Sequence, residues 1–215
     1  MTVIITIDGI AASGKSSVAS RVASKLKVPY ISSGYLYRAV TYLVYVTQTD
    51  PADQDAIVAV LQTHPLTLIP RPEENEVWQG EENYTPFLHT TEVDLTVSEI
   101  AQHPKVRTWV TEQLKDLPPP FVAEGRDMGT AVFPHARHKF YLIASPRVRA
   151  QRRAKERPED LESIQAALEM RDREDRVQSR PAEDAHVVET SDMTLEQVVE
   201  HILKGVYLDS HSLDV

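Results

Sequence analysis

The sequence predicts an α/β protein built on a parallel β-sheet flanked by helices. Three observations carry that expectation. Val3 to Ile7 is a short, continuous, β-branched apolar run, the pattern of a strand buried on both faces. A small-residue loop, Gly9 to Gly14, follows, and then Val18, Val22 and Leu26 recur four apart with Ala19 and Ala23 beside them, which is helical spacing. Short strand-like runs then alternate with helical spacing along much of the 215-residue chain.

Val28 to Ile31 is the second strand candidate. Ser32-Ser33-Gly34 leads into a helix with Leu36, Ala39, Val40, Leu43 and Val44 on one side, and a third helix around Asp53 to Gln62 carries Ile57, Val60 and Leu61. Residues 63–92 break the rhythm with His64-Pro65, Pro70-Arg71-Pro72, a run of acids and Pro86. Strand-like Leu66 to Ile69 and Val77-Trp78 lie between these turn signals. Helical spacing returns at Val93, Val97 and Ile100, is interrupted at Pro104, and resumes at Val106, Val110 and Leu114 until Pro118-Pro119-Pro120. Phe121 to Ala123, Phe140 to Ile143 and Val187-Val188 are the later strands; helices are expected at Arg147 to Glu156, Leu161 to Arg176 and Leu195 to Leu203. The organisation predicted is a core of 1–62 and 118–215 with an insert at 63–117.

Composition narrows the functions available. Hydrophobic residues make up 41% and charged residues 26%, globular values that exclude wholesale disorder. The absence of cysteine excludes disulfides, thiolate metal sites and cysteine nucleophiles. The start MTVIITIDG lacks the basic flank of a signal peptide, and no apolar run approaches the roughly 18 residues of a membrane span, so a soluble cytoplasmic protein is expected. A net charge of −9 argues against nucleic-acid polymers and anionic lipid as partners. The basic residues are unevenly placed: Arg147 to Arg180 holds ten Lys/Arg against eight Asp/Glu, leaving −11 elsewhere, and six of those ten fall within 147–157. Such a run is either a solvated helix face or a local phosphate clamp.

Gly9-Ile10-Ala11-Ala12-Ser13-Gly14-Lys15-Ser16 matches GxxxxGK[ST], a phosphate-binding loop between a strand and a helix. Backbone N–H groups turn inward around a phosphate, glycine permits the torsions, and the helix adds its positive N-terminal end. Lys15 is expected on the β/γ-phosphates and the Ser16 hydroxyl on Mg²⁺, with Ser17 completing the ATP site. No [NT]KxD guanine-reading motif is present, which disfavours a switch GTPase. Three further segments stand at strand or helix ends: Ser33-Gly34-Tyr35-Leu36-Tyr37-Arg38, Glu124-Gly125-Arg126-Asp127-Met128-Gly129-Thr130 and Arg171-Asp172-Arg173-Glu174-Asp175-Arg176. Each also has a plain structural reading: Ser33 as a helix cap with Arg38 a surface charge, a tight turn with a local ion pair, and a salt-bridged helix face. His135 and His138 lack a third ligand, so no zinc site is expected.

Together these segments resemble the bacterial cytidylate kinases, a family of P-loop nucleoside monophosphate kinases, over nearly the whole chain. The resemblance is carried by ITIDG with the phosphate loop, SSGYLYR at 32–38, VSEIAQHPKVR at 97–107, EGRDMGTAVFP at 124–134, RVRAQRR at 147–153 and RDREDR at 171–176. It implies a P-loop NTPase core whose 63–117 insert enlarges the CMP-binding region, with a short mobile lid at about 147–160. The implied reaction is Mg²⁺-dependent phosphoryl transfer from ATP to CMP or dCMP by a monomer. The implied roles are phosphate binding by Arg38 and Arg126, beside Ser33; cytosine reading by Ser98, Arg107 and Asp127; ribose binding by Arg171 and Asp175; and Arg152 covering the transferring group, with Lys15 and Arg126 as its catalytic partners. Ala11 and Ala12 depart from the family's frequent Ser-Gly, and Gln178 replaces a common arginine, for which Arg176 or Arg180 is the candidate substitute. The alternatives are another small-molecule kinase, such as a UMP or shikimate kinase, and a non-catalytic nucleotide switch.

Overall fold

In chain order the elements are β1 (Ile4–Gly9), α1 (Lys15–Leu26), β2 (Tyr30–Ser32), α2 (Ser33–Val46), α3 (Gln54–Thr63), β3 (Leu66–Ile69), β4 (Glu76–Gln79), β5 (Glu82–Asn83), α4 (Thr91–Ile100), α5 (Pro104–Lys115), β6 (Phe121–Gly125), β7 (His138–Ile143), α6 (Pro146–Glu156), α7 (Leu161–Glu174), β8 (His186–Glu189) and α8 (Leu195–His211). The structure, a computed structural model, describes residues 3–71, 74–156, 160–174 and 179–211. It divides into two units, Met1–Val28 with Pro119–Val215, and Pro29–Pro118.

In the first unit β1 pairs in parallel with β6 on one side and β7 on the other, and β7 pairs in parallel with β8. The central position of β1 explains its composition: Ile5, Thr6, Ile7 and Asp8 are all buried, so both faces of the strand must be covered. α1 buries Val18, Ala19, Val22 and Ala23 and ends at Lys27, which takes a left-handed conformation at φ 56. The Val28 N–H then donates to the Ala23 carbonyl at 3.1 Å, closing the helix. That closure corrects the second strand: Val28 and Pro29 are the exit from α1, and the strand is Tyr30–Ser32. The other expected helices and strands of this unit are present, most with ends shifted by one or two residues. β6 extends to Gly125, which places Glu124 inside the strand.

In the second unit the broken stretch folds as an antiparallel β3-β4-β5 sheet, with Leu68 opposite Val77. Leu66 and Leu68 are buried while Thr67 between them is exposed, the two-residue period of a half-covered sheet. Asp53 caps α3, accepting from the N–H groups of Asp55 and Ala56. Pro104, which interrupts the helical pattern, stands in the first turn of α5, where its missing N–H costs nothing. Pro29–Pro118 groups the stretch 29–62 with the insert, a wider unit than 63–117, because α2 packs on α4 and α3 on α5. Among the described residues no helix is long and apolar enough to cross a membrane.

Candidate active site

The phosphate loop occupies the carboxyl end of β1, where open α/β sheets hold ligands. Gly9 is required by contact: a Cβ there would lie 2.5 Å from the Leu142 carbonyl oxygen and 2.8 Å from Ser13 Oγ. Gly14 is left-handed at φ 90, and so is Ala12 at φ 57, a conformation that costs an alanine roughly 1–2 kcal/mol. The Ser13 N–H donates to the Ile10 carbonyl at 3.3 Å, tightening the loop. Among the described residues Ser13 Oγ is buried with no hydrogen-bond partner, an acceptor and donor available to a ligand. Ser16 and Ser17 are exposed on the first turn of α1.

The two departures in the loop have a packing role. Ala11 belongs to an apolar cluster with Ala150 of α6 and Ile164 and Leu168 of α7, and Ala12 packs against it with Ala154 and Leu161. The loop is thus seated on the two helices that carry the basic run, where a serine hydroxyl at 11 would meet an apolar surface.

Charge concentrates around Lys15. Its Nζ is 3.5 Å from the Ile10 carbonyl oxygen. Burial pushes its pKa below the usual lysine range, and the positive charges of Arg126 and Arg171 push the same way, against Glu124 and Asp8. Two of the expected site residues thus act on the charge of Lys15 within the first unit, a repulsion that a multivalent anion would relieve.

Arg126 and Asp127 follow β6 directly. Asp127 is 9% exposed, and its carbonyl accepts from the N–H groups of Thr130, Ala131 and Val132. Met128 to Val132 forms a single π-helical turn, an element that often marks functional sites. Asp8, at the other end of the approach to the loop, is buried, and its carboxylate accepts from the Met128 and Gly129 N–H groups. Burial pushes the Asp8 pKa up to about 7 in spite of those two bonds, with Asp127 and Glu124 adding to the rise.

The basic run divides by position. Arg149 is 2% exposed and is not part of a solvated face. Its Nε donates to the Ala144 carbonyl at 3.1 Å and Nη1 to the Ala11 carbonyl at 3.1 Å, while Asp172 of α7 accepts from Nη2 at 2.6 Å and Nη1 at 3.2 Å. Arg152 donates to the Ser13 carbonyl at 2.8 Å and to the Thr190 carbonyl and hydroxyl at 2.7 and 3.1 Å. Arg152 thus stands at the phosphate loop. The reading of 147–157 as a solvated basic face is corrected for these two arginines, which are held by protein acceptors; residue 157 itself lies outside the described residues. Arg171 is partly buried on α7; Asp175, Arg176 and Gln178 lie outside the described residues, and Arg180 is exposed.

The second unit holds Ser33, Arg38, Ser98 and Arg107. Ser33 is the first residue of α2 and is buried, and Ser32 holds the cap position, so the capping role considered for Ser33 is not the one it has. Asn75 braces this entry: its Oδ1 accepts from the Ser32 N–H at 2.8 Å and its Nδ2 donates to the Tyr30 carbonyl at 2.7 Å. Arg38 is no free surface charge, as its Nη1 donates to Asp94 Oδ1 at 2.7 Å and to the Leu88 carbonyl at 2.8 Å. Ser98 is partly buried on α4. Arg107 on α5 donates to the Ala101 carbonyl at 3.0 Å and lies over the Tyr37 ring, 5.8 Å from its centroid. Sequence reasoning missed Asp8, Arg149, Asp172, Asn75 and Asp94. For Asp8 a signal existed: a lone acid in a buried apolar strand demands a partner.

The model of the cytidylate kinase family matches residues 5–207. A cytidylate kinase of Deinococcus deserti is 61% identical over 196 residues, covering 91% of this chain and 95% of that protein. One from Thermus thermophilus is 55% identical over 203 residues, covering 94% and 98%. Among solved structures, a shikimate kinase from Bacteroides thetaiotaomicron aligns with a TM-score of 0.51 at 10% identity, covering 96% of this chain and 99% of that one. A gluconokinase from Sinorhizobium meliloti aligns with a TM-score of 0.50 at 15% identity, covering 99% and 95%. These two likenesses show the shared fold. The match to the family model and the level of identity to its members go further: the chain belongs to the cytidylate kinase family.

Proposed function

We infer that the protein transfers the γ-phosphoryl group of ATP to CMP or dCMP, giving ADP and the nucleoside diphosphate. The observation that carries the phosphoryl-transfer reading is the setting of Lys15, a loop lysine under the combined charge of Arg126 and Arg171 beside a strand-end carboxylate. Phosphoryl transfer is mostly positioning and electrostatics, and the site offers both. The acceptor phosphate has a second pKa of about 6, so it is already a dianionic nucleophile at neutral pH and needs no side-chain base.

On this reading residues 9–17 hold the ATP phosphates, with Lys15 on the β/γ-phosphates and Arg152 beside them through its place at Ser13. Arg38 and Arg126 hold the acceptor phosphate near Ser33, and Arg171 and Asp175 hold the ribose. Ser98, Arg107 and Asp127 read cytosine: Asp127 accepts from the N4 amine and Arg107 donates to the N3/O2 edge. The donor set also suits Mg²⁺, because Ser16 presents an exposed hydroxyl at the start of α1 and Glu124 supplies a nearby carboxylate charge, both oxygen groups that a hard cation prefers. Mg²⁺ held by Ser16 would supply charge neutralisation on the β- and γ-phosphates. The lid at about 147–160 and the acceptor insert at 63–117 belong to the same reading, as do a monomeric state and a cytoplasmic location.

Steady-state ADP release with CMP, dCMP, UMP and shikimate as acceptors tests it. CMP and dCMP are expected to give turnover well above UMP, and shikimate none. Asp127→Ala is expected to lower kcat/KM for CMP far more than for UMP, because uracil sets O4 against the carboxylate, acceptor against acceptor. Nucleotide binding without acceptor-dependent ADP release would make the protein a switch rather than a kinase.

A further inference from the structure

Asp8 joins the strand that feeds the phosphate loop to the turn that carries Arg126 and Asp127. Its Oδ1 accepts from the Met128 N–H at 2.8 Å and its Oδ2 from the Gly129 N–H at 2.7 Å, and the residue is 5% exposed. These are the first two amides of the π-helical turn, and the first amides of a helical turn have no acceptor within it. The preceding residue, Asp127, sits at φ −142, ψ 25, away from the helix and strand basins. Its backbone therefore depends on what holds the amides that follow it.

Gly129 completes the fit. A Cβ there would lie 2.9 Å from Thr6 Oγ1 and 3.3 Å from Asp8 Oδ2, so only a glycine lets the turn come this close to β1. The aliphatic Cδ of Lys139, at 3.3 Å from the same point, closes the remaining side. The carboxylate is thus matched to two amides at once, one oxygen to each, within a space that admits no other side chain from the turn.

We propose that Asp8 is a positioning residue for acceptor recognition: by holding the Met128 and Gly129 amides it sets the orientation in which Arg126 and Asp127 meet the nucleoside monophosphate. The proposal rests on the reading that Arg126 and Asp127 bind the acceptor. Asparagine in place of Asp8 has nearly the same shape but offers one acceptor and one NH₂ donor, so one of the two amides would face a donor. The damage falls on the turn, and through it on the acceptor.

The test is steady-state kinetics of Asp8→Asn, Gly129→Ala and Asp127→Ala with CMP, UMP and ATP each varied, alongside circular dichroism and Tm. Asp8→Asn and Gly129→Ala, which disturb the same contact from opposite sides, are each expected to raise KM for CMP about tenfold, the scale of one lost buried hydrogen bond. Both should shrink the CMP/UMP ratio of kcat/KM, with KM for ATP held within about twofold and kcat changing less than KM for CMP. Gly129→Ala keeps the test open should Asp8→Asn fail to fold. A variant pair that raises KM for ATP and CMP alike, or that lowers Tm with the CMP/UMP ratio unchanged, overturns the proposal and leaves Asp8 a core residue. An unchanged CMP/UMP ratio in Asp127→Ala overturns the acceptor reading itself, and with it the role given to Asp8.

Discussion

Arg149→Met removes a guanidinium that three parts of the first unit share. The side chain is 2% exposed and donates to the carbonyls of Ala144 and Ala11 and to both oxygens of Asp172. Methionine fills much of the volume but makes none of these bonds. Breaking a buried ion pair by deleting one partner costs about 3–5 kcal/mol. The Asp172 side chain is 25% exposed, so water reaches it and the lower end applies to the pair. The two carbonyls left without their donor add roughly 1 kcal/mol, giving about 4 kcal/mol in all. For a chain of this length that corresponds to a fall in Tm on the order of 10 °C. Urea unfolding of Arg149→Met measures it, with Arg147→Met as the control. Arg147 stands two residues away on the same helix and is exposed, so its loss is expected to stay within about 0.5 kcal/mol. Because Ala11 belongs to the phosphate loop, Arg149→Met should also weaken ATP binding, whereas Arg147→Met acts only on the overall charge. A double cycle with Asp172→Asn should show strong coupling. If Arg149→Met loses under about 1 kcal/mol, or matches Arg147→Met, the buried bridge does not hold the loop to α6 and α7 and the reasoning fails.

Two other outcomes follow from the same geometry. Lys15→Ala removes charge whose importance grows as the phosphoryl group transfers, so the loss should appear mainly in kcat, and a folded variant with near wild-type kcat would refute the loop assignment. Burial pushes the Asp8 carboxyl from 3.8 up to about 7, so between those values the folded state holds a proton that the unfolded chain has released. Stability from this group is therefore present at low pH and is lost as pH rises through that window, by a few kcal/mol. Urea midpoints of wild type should fall relative to Asp8→Asn from about pH 4 to 7 and level off above it, and a difference independent of pH would show that the carboxyl titrates normally.

The fold was legible where its causes are local. The apolar run of β1, the four-residue spacing of α1 and the contiguous phosphate-loop motif each act over a few residues, and each is where the sequence reading put it. The second strand was misplaced by two residues because a left-handed Lys27 closes α1, and nothing in lysine as a residue type announces that conformation. The grouping of 29–62 with the insert comes from packing of α2 on α4 and α3 on α5, a tertiary effect that no single segment contains.

The site was legible as residue types and much less as partnerships. Arg147, Arg149 and Arg152 are equivalent letters in one basic run, yet one is exposed, one is sealed against Asp172, and one is bound to Ser13 and Thr190. A charge pattern states how many cations a helix carries and leaves out where their acceptors lie, which here is 23 residues onward for Arg149 and 38 for Arg152. Asp8 shows the same limit at greater range, since its amide partners are 120 and 121 residues away. What the sequence does contain is the cost: a carboxylate in a buried strand must find donors or give up its charge. Asp8 does part of each, holding two amides while its pKa rises to about 7. A lone acid between an apolar strand and a phosphate loop is therefore a reason to look for amides in the next turn of the sheet, and in this chain those amides follow Asp127 directly.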